Sequence, residues 1–89
     1  DIAFIGVGGI HLSGGLTGYD EKEIMLSRQI IRNAKESVAV LDHSKIGVRN
    51  LYKIVDLHEI DRIICDKKHP EGWEKLLQNY NIEWLNNLG

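Results

Sequence analysis

Asp42, Ser44 and Lys45 stand within four residues of one another, directly after the apolar run Val38-Ala39-Val40-Leu41. An acceptor, a hydroxyl and an ammonium at a strand end make a set suited to an anion. Lys45 supplies a point charge for a phosphate or carboxylate; the structural alternative is a local ion pair with Asp42. A second set is rich in glycine: Gly6, Gly8, Gly9, Gly14 and Gly15 follow the apolar run Ile2 to Ile5. Glycine there lets backbone amides come close to a ligand, although tight turns also demand it. Gly6-Val7-Gly8-Gly9 lacks the third glycine of a dinucleotide fingerprint, so a Rossmann cofactor site is not expected. Thr17 either offers its hydroxyl to a ligand oxygen or orders the start of the next helix. Asp20, Glu21 and Glu23 crowd that helix start, where carboxylates complement the helix dipole. A phosphate squarely on this helix end is therefore disfavoured. Asp20 and Glu23 either cap the helix or accept hydrogen bonds from sugar hydroxyls.

These residues need strands that end on a common edge. Ile2 to Ile5 reads as a short strand covered on both faces. Gly6 to Tyr19, with six glycines and no periodicity, reads as a long loop. Asp20 with Glu23 three residues on fits a capping box. The helix after it gathers Leu26, Ile30 and Ala34 with Ile24, Ser27 and Ile31 on one face, leaving Met25 among the polar residues. Ser37 to Leu41 reads as the next buried strand, which completes a βαβ unit with a right-handed crossover. Further strands are expected over Tyr52 to Leu57, Asp61 to Asp66 and Ile82 to Leu85. Pro70 precedes a helical stripe of Trp73, Leu76, Leu77 and Tyr80. In an open parallel sheet the loops at the carboxyl ends of strands converge on one edge, where ligands bind. The expected fold class is α/β, a mostly parallel, Rossmann-like sheet with flanking helices.

Composition narrows the function. Eighty-nine residues with a formal net charge of -2 make one domain at most and leave no electrostatic footprint for nucleic acid. No apolar run approaches the roughly 20 residues that span a bilayer, and no signal peptide is visible. The chain opens on a strand without an initiating Met, so we expect it to be the carboxyl-terminal part of something longer. The single Cys65 excludes an internal disulfide and suits a reducing compartment; inside Ile63-Ile64-Cys65 it reads as a small buried hydrophobe. His11, His43, His58 and His69 lack the spacing of a metal site. No serine sits in a strained elbow motif. Asp66, at a strand end, either lines the ligand edge or caps the next segment.

Asp1-x-Ala3-Phe4-Ile5-Gly6 with Gly9-Ile10, Gly15-Leu16-Thr17, Leu41-Asp42-x-Ser44-Lys45-x-Gly47 and Asp61-x-Ile63-Ile64-x-Asp66 together resemble one family. That family is the effector-sensing domain of DeoR-type bacterial transcription regulators, and the resemblance covers nearly the whole chain. It implies a sensor related to ribose-5-phosphate isomerase and glucosamine-6-phosphate deaminase, which binds a phosphorylated sugar or related anionic metabolite. It places Gly8, Gly9, Gly15, Thr17 and Lys45 along the ligand pocket, with Asp42 ordering Lys45. Cys65 departs from the pattern, since Thr is usual before the acid. On this reading residues 1–89 are the C-terminal portion of one sensor domain, and a DNA-binding helix-turn-helix lies upstream. The protein is expected to be a cytoplasmic, homo-oligomeric repressor of sugar-metabolism genes, with no enzymatic activity, cofactor, metal or membrane association. The alternative is a sugar-phosphate isomerase fragment, in which Glu21 or Glu23 would have to serve as general base.

Overall fold

The computed structural model describes residues 1–86. Four short runs rich in aliphatic residues build a parallel sheet: β1 (Ile2–Gly6), β4 (Glu36–Val40), β6 (Arg62–Ile64) and β7 (Glu83–Leu85), in the order β1-β4-β6-β7. Ile2 lies opposite Glu36 and Gly6 opposite Val40, while Val38 faces Arg62 and Ile63 faces Trp84. α1 (Glu21–Asn33) lies between β1 and β4 in the chain, and α2 (Glu74–Asn79) joins β6 to β7. The α/β class with a parallel sheet and flanking helices is therefore the one expected. Among the described residues no helix is long and apolar enough to cross a membrane.

Two expectations are corrected. The glycine-rich stretch is not an irregular loop. It folds as a hairpin of β2 (Gly9–His11) and β3 (Gly15–Gly18), which joins β5 (Tyr52–Val55) in a second, antiparallel sheet ordered β2-β3-β5. Strands of three and four residues are too short to display a period of two, and their glycines hide it further. Nor is β1 covered on both faces. Ala3 and Ile5 are buried, whereas Ile2 and Phe4 are 50% and 64% exposed. Alternate side chains of a strand point to opposite faces, and β1 is packed on one of them only.

The helices follow the same logic. Asp20 caps α1 as expected, its carboxylate accepting the backbone N–H groups of Lys22 at 2.9 Å and Glu23 at 3.4 Å. The buried stripe of α1 is Ile24 and Ile31, with Leu26 and Ile30 exposed. The expected face was thus rotated too far, because Arg28 turns inward. Its guanidinium donates to the carbonyls of Ile54 at 2.8 Å and Lys53 at 2.6 Å, tying α1 to β5. In the second helix Trp73 and Leu77 are buried, Leu76 is half-buried and Tyr80 lies outside. The core between the two sheets and α1 includes Ile5, Ile10, Leu16, Ala39, Val55 and Ile63. Cys65 is buried there as well, and burial pushes its thiol up.

Candidate functional site

The carboxyl rim of the parallel sheet brings two segments together. After β4, Leu41 and Asp42 lead into a single 3-10 turn over His43–Lys45. Asp42 caps that turn: its carboxylate accepts the backbone N–H of Ser44 at 2.8 Å and the Ser44 hydroxyl as well. These bonds, with the charge of Lys45 nearby, hold the Asp42 carboxyl below the usual carboxylate range. Immediately afterwards Ile46 forms a parallel bridge with Ile10, and the Gly47 N–H donates to the Ile10 carbonyl at 2.8 Å. The turn bearing Lys45 is therefore seated against the glycine-rich hairpin. Among the described residues the Lys45 ammonium makes no ion pair, so the local pairing with Asp42 is not formed.

Beneath this junction backbone packs so closely on the hairpin that Gly9 and Gly15 have no room for a side chain. A Cβ on Gly9 would meet the Val48 carbonyl oxygen at 2.4 Å, and one on Gly8 would meet Asn50 Nδ2 at 2.9 Å. Gly15 has φ of +72° and would press a Cβ against the Val55 carbonyl oxygen at 2.5 Å. Thr17 is only 2% exposed, and its hydroxyl oxygen accepts the Asn50 backbone N–H at 3.0 Å. Gly9, Gly15 and Thr17 thus have structural reasons for their identity that involve no ligand. Thr17→Val is expected to leave the Asn50 N–H without its acceptor and to destabilise the fold by about 1–3 kcal/mol. Urea titration should read this loss, with Thr17→Ser close to wild type.

Next to the hairpin, where β1 ends and α1 begins, lies a hollow of about 170 Å³. Gly6, Gly8 and Gly18 form its backbone wall, and Tyr19, Asp20, Glu23 and Ser27 contribute side chains. Of the sequence-derived candidates, Gly6, Gly8, Asp20 and Glu23 line it directly. Asp42, Lys45, Gly9, Gly15 and Thr17 are not among its lining residues: the first two stand on the turn after β4, and the other three are held in the packing of the hairpin. Tyr19 and Ser27 add to the site. The i, i+4 spacing of Glu23 and Ser27 was readable as a shared helix face; nothing local marked Tyr19. The Asp20 carboxylate is engaged in capping, while among the described residues the Glu23 carboxylate accepts no hydrogen bond. With two carboxylates and no cation in its lining, the hollow suits hydroxyl or amine donors and repels a phosphate.

Elsewhere Asp56, His58 and Glu59 bring ligand-type atoms within 4.8 Å of one another. Asp56 is already paired with Lys53 and Glu59 with Arg32, so cationic groups of the protein occupy those carboxylates.

A family model described as the DeoR C terminal sensor domain matches residues 1–67. The chain is 38% identical over 85 residues to the HTH-type transcriptional repressor GlcR of Bacillus subtilis (strain 168), covering 96% of this chain and 33% of that protein. It is 30% identical over 85 residues to the deoxyribose operon repressor of Escherichia coli (strain K12), covering 96% and 34%. It is 28% identical over 83 residues to the glycerol-3-phosphate regulon repressor of the same strain, covering 93% and 33%. The chain spans about a third of the length of these curated relatives.

Proposed function

The chain belongs to the DeoR C terminal sensor domain family, and from that premise we propose that it is the effector-binding part of a DNA-binding transcription regulator. The regulator represses sugar-metabolism genes, reaches DNA through a module outside these residues, and works in the cytoplasm as a homo-oligomer. Residues 1–89 are the C-terminal portion of its sensor. The effector is a phosphorylated sugar or a related anionic metabolite. Lys45 meets its anionic group. The hollow takes its hydroxyl-bearing end, with Gly8 as wall and Asp20, Glu23 and Tyr19 as lining; Gly9, Gly15, Thr17 and Asp42 hold the two parts in place. Binding favours one sensor conformation, and the coupled DNA-binding units change operator affinity accordingly.

The observation that best supports this reading is the seam at Ile10, where the Ile46 bridge and the Gly47 hydrogen bond set Lys45 beside the hairpin. A cationic side chain and a carboxylate-lined hollow on one rim match a ligand with an anionic end and a hydroxyl-bearing end. Names of relatives point the same way, since one is a repressor of a deoxyribose operon and another of a glycerol-3-phosphate regulon. Sensing is favoured over isomerisation because the matched relatives are repressors.

A thermal-shift panel on the whole protein tests the proposal with matched sugars and sugar phosphates. A ligand at 100 times its dissociation constant adds about 2.7 kcal/mol to stability, so a true effector raises the melting temperature by several degrees. At least one phosphorylated sugar is expected to do so, while its unphosphorylated counterpart does not. A panel in which no phosphorylated sugar gives a shift would sink the reading.

A further inference from the structure

Asp66 does more than end β6. Its Oδ1 accepts the backbone N–H of His43 at 2.6 Å, and its Oδ2 lies 2.7 Å from Nδ1 of the same residue's ring. One carboxylate thus holds both the backbone and the ring of the residue that opens the Lys45 turn. Regular pairing of β4 with β6 stops at Val40 opposite Ile64, and the Leu41 N–H still reaches the Ile64 carbonyl. The Asp66–His43 pair is the next tie beyond the sheet, and the far end of the turn is held at Ile10.

We propose that Asp66 and His43 form a proton-linked clasp for the anion site. Asp66 is a positioning residue that sets the Lys45 turn, and His43 adds a second positive charge beside Lys45 when its ring is protonated. This inference rests on the reading that Lys45 receives the effector's anionic group.

The chemistry comes from the two ring nitrogens. The hydrogen bond from the His43 ring is the main reason the Asp66 carboxyl is pushed down to about 2, so Asp66 accepts throughout the neutral range. Nδ1 therefore carries a proton in both charge states of the ring. Nε2 is a bare acceptor in the neutral form and an N–H donor in the cation. Imidazole is the ordinary side chain that changes charge between pH 5 and 8. An anion bound beside Lys45 favours the charged ring, and by linkage the charged ring favours the anion.

Two acidic groups near the pair keep one charge state in that window, the Asp42 carboxyl and the Cys65 thiol. Asp42 and Lys45 belong to the same turn as His43, and the Asp42 carboxyl is lowered by its bond from the Ser44 hydroxyl. From the end of β6, the Cys65 thiol stands 3.5 Å from Asp66 Oδ1 and is pushed up by burial, so it stays neutral.

Sulfate is a suitable probe, because it remains a dianion across this window and any pH dependence then belongs to the protein. Its affinity for the whole protein, followed by NMR titration, is expected to rise about fivefold between roughly pH 8.5 and pH 5.5. His43→Gln should flatten that dependence. Asp66→Asn keeps an acceptor for the His43 N–H but removes the charge beside the ring, so it should reduce the slope. Lys45→Ala should weaken binding at every pH and keep the slope. A His43→Gln protein with the wild-type slope overturns the clasp. Unchanged sulfate affinity in Lys45→Ala instead overturns the anion reading beneath it, and the two failures are distinct. If Asp66→Asn does not fold, His43→Gln at its exposed position still decides.

Discussion

Replacing Lys45 by alanine is expected to weaken effector binding roughly 10- to 100-fold, about 1.5–3 kcal/mol, as for the loss of one charge-assisted hydrogen bond. The melting temperature of the ligand-free protein should stay near wild type. The reason is local: among the described residues the ammonium holds no partner, so nothing in the fold depends on it. The turn it stands on is set by Asp42, Asp66 and Ile10 instead. Calorimetry on the wild type and the variant, with whichever sugar phosphate shifts the melting temperature, gives the comparison directly. Equal affinities would remove Lys45 from the site. A conservative Lys45→Arg change retains the charge and should recover part of the loss, since guanidinium and ammonium differ in geometry.

Gly15→Ala should have the opposite profile, a large loss of stability at a residue whose identity packing alone explains. Its φ of +72° lies in the left-handed region, and an added Cβ would stand 2.5 Å from the Val55 carbonyl oxygen. Left-handed backbone costs a non-glycine residue about 1–2 kcal/mol. The clash with backbone cannot be relieved by a side-chain rotation, so β3 and β5 must separate or shift. We expect about 3–5 kcal/mol of destabilisation in chemical denaturation, at the upper end for a single substitution. Gly6→Ala is the matched control, because a Cβ there meets nothing within 4 Å. A Gly15→Ala protein as stable as Gly6→Ala would show that the β3–β5 seam is looser than described.

The strands of the parallel sheet and the start of α1 were legible because each is announced locally. Val38-Ala39-Val40 and Ile63-Ile64 are unbroken apolar runs, and Asp20 precedes a helix with acidic residues in its first turn. The hairpin was not legible, since β2 and β3 are held by pairing and by close backbone approach at Gly9 and Gly15, which no periodicity records. The outward turn of Leu26 and Ile30 was hidden for a different reason. An amphipathic pattern gives a face, but which side is covered depends on neighbours such as β5, reached here by Arg28. Among site residues, Lys45 and Asp42 are close in the chain and stood out together. The Asp66–His43 pair joins residues 23 apart, and Tyr19 comes to the hollow only through the path of the backbone.

The ties at Ile10, Val48 and Asn50 also bear on how a signal could leave this domain. Two hydrogen-bonded junctions, at Ile10 and at Thr17, with the Val48 carbonyl lying close to Gly9 between them, join the segment after Lys45 to the hairpin, so the two pieces move together. On the proposed reading, a displacement that an effector imposes on the turn is handed to the β2-β3-β5 sheet, and through Arg28 to α1. Transmission through such a block resembles the tilting of a slab more than the opening of a lid.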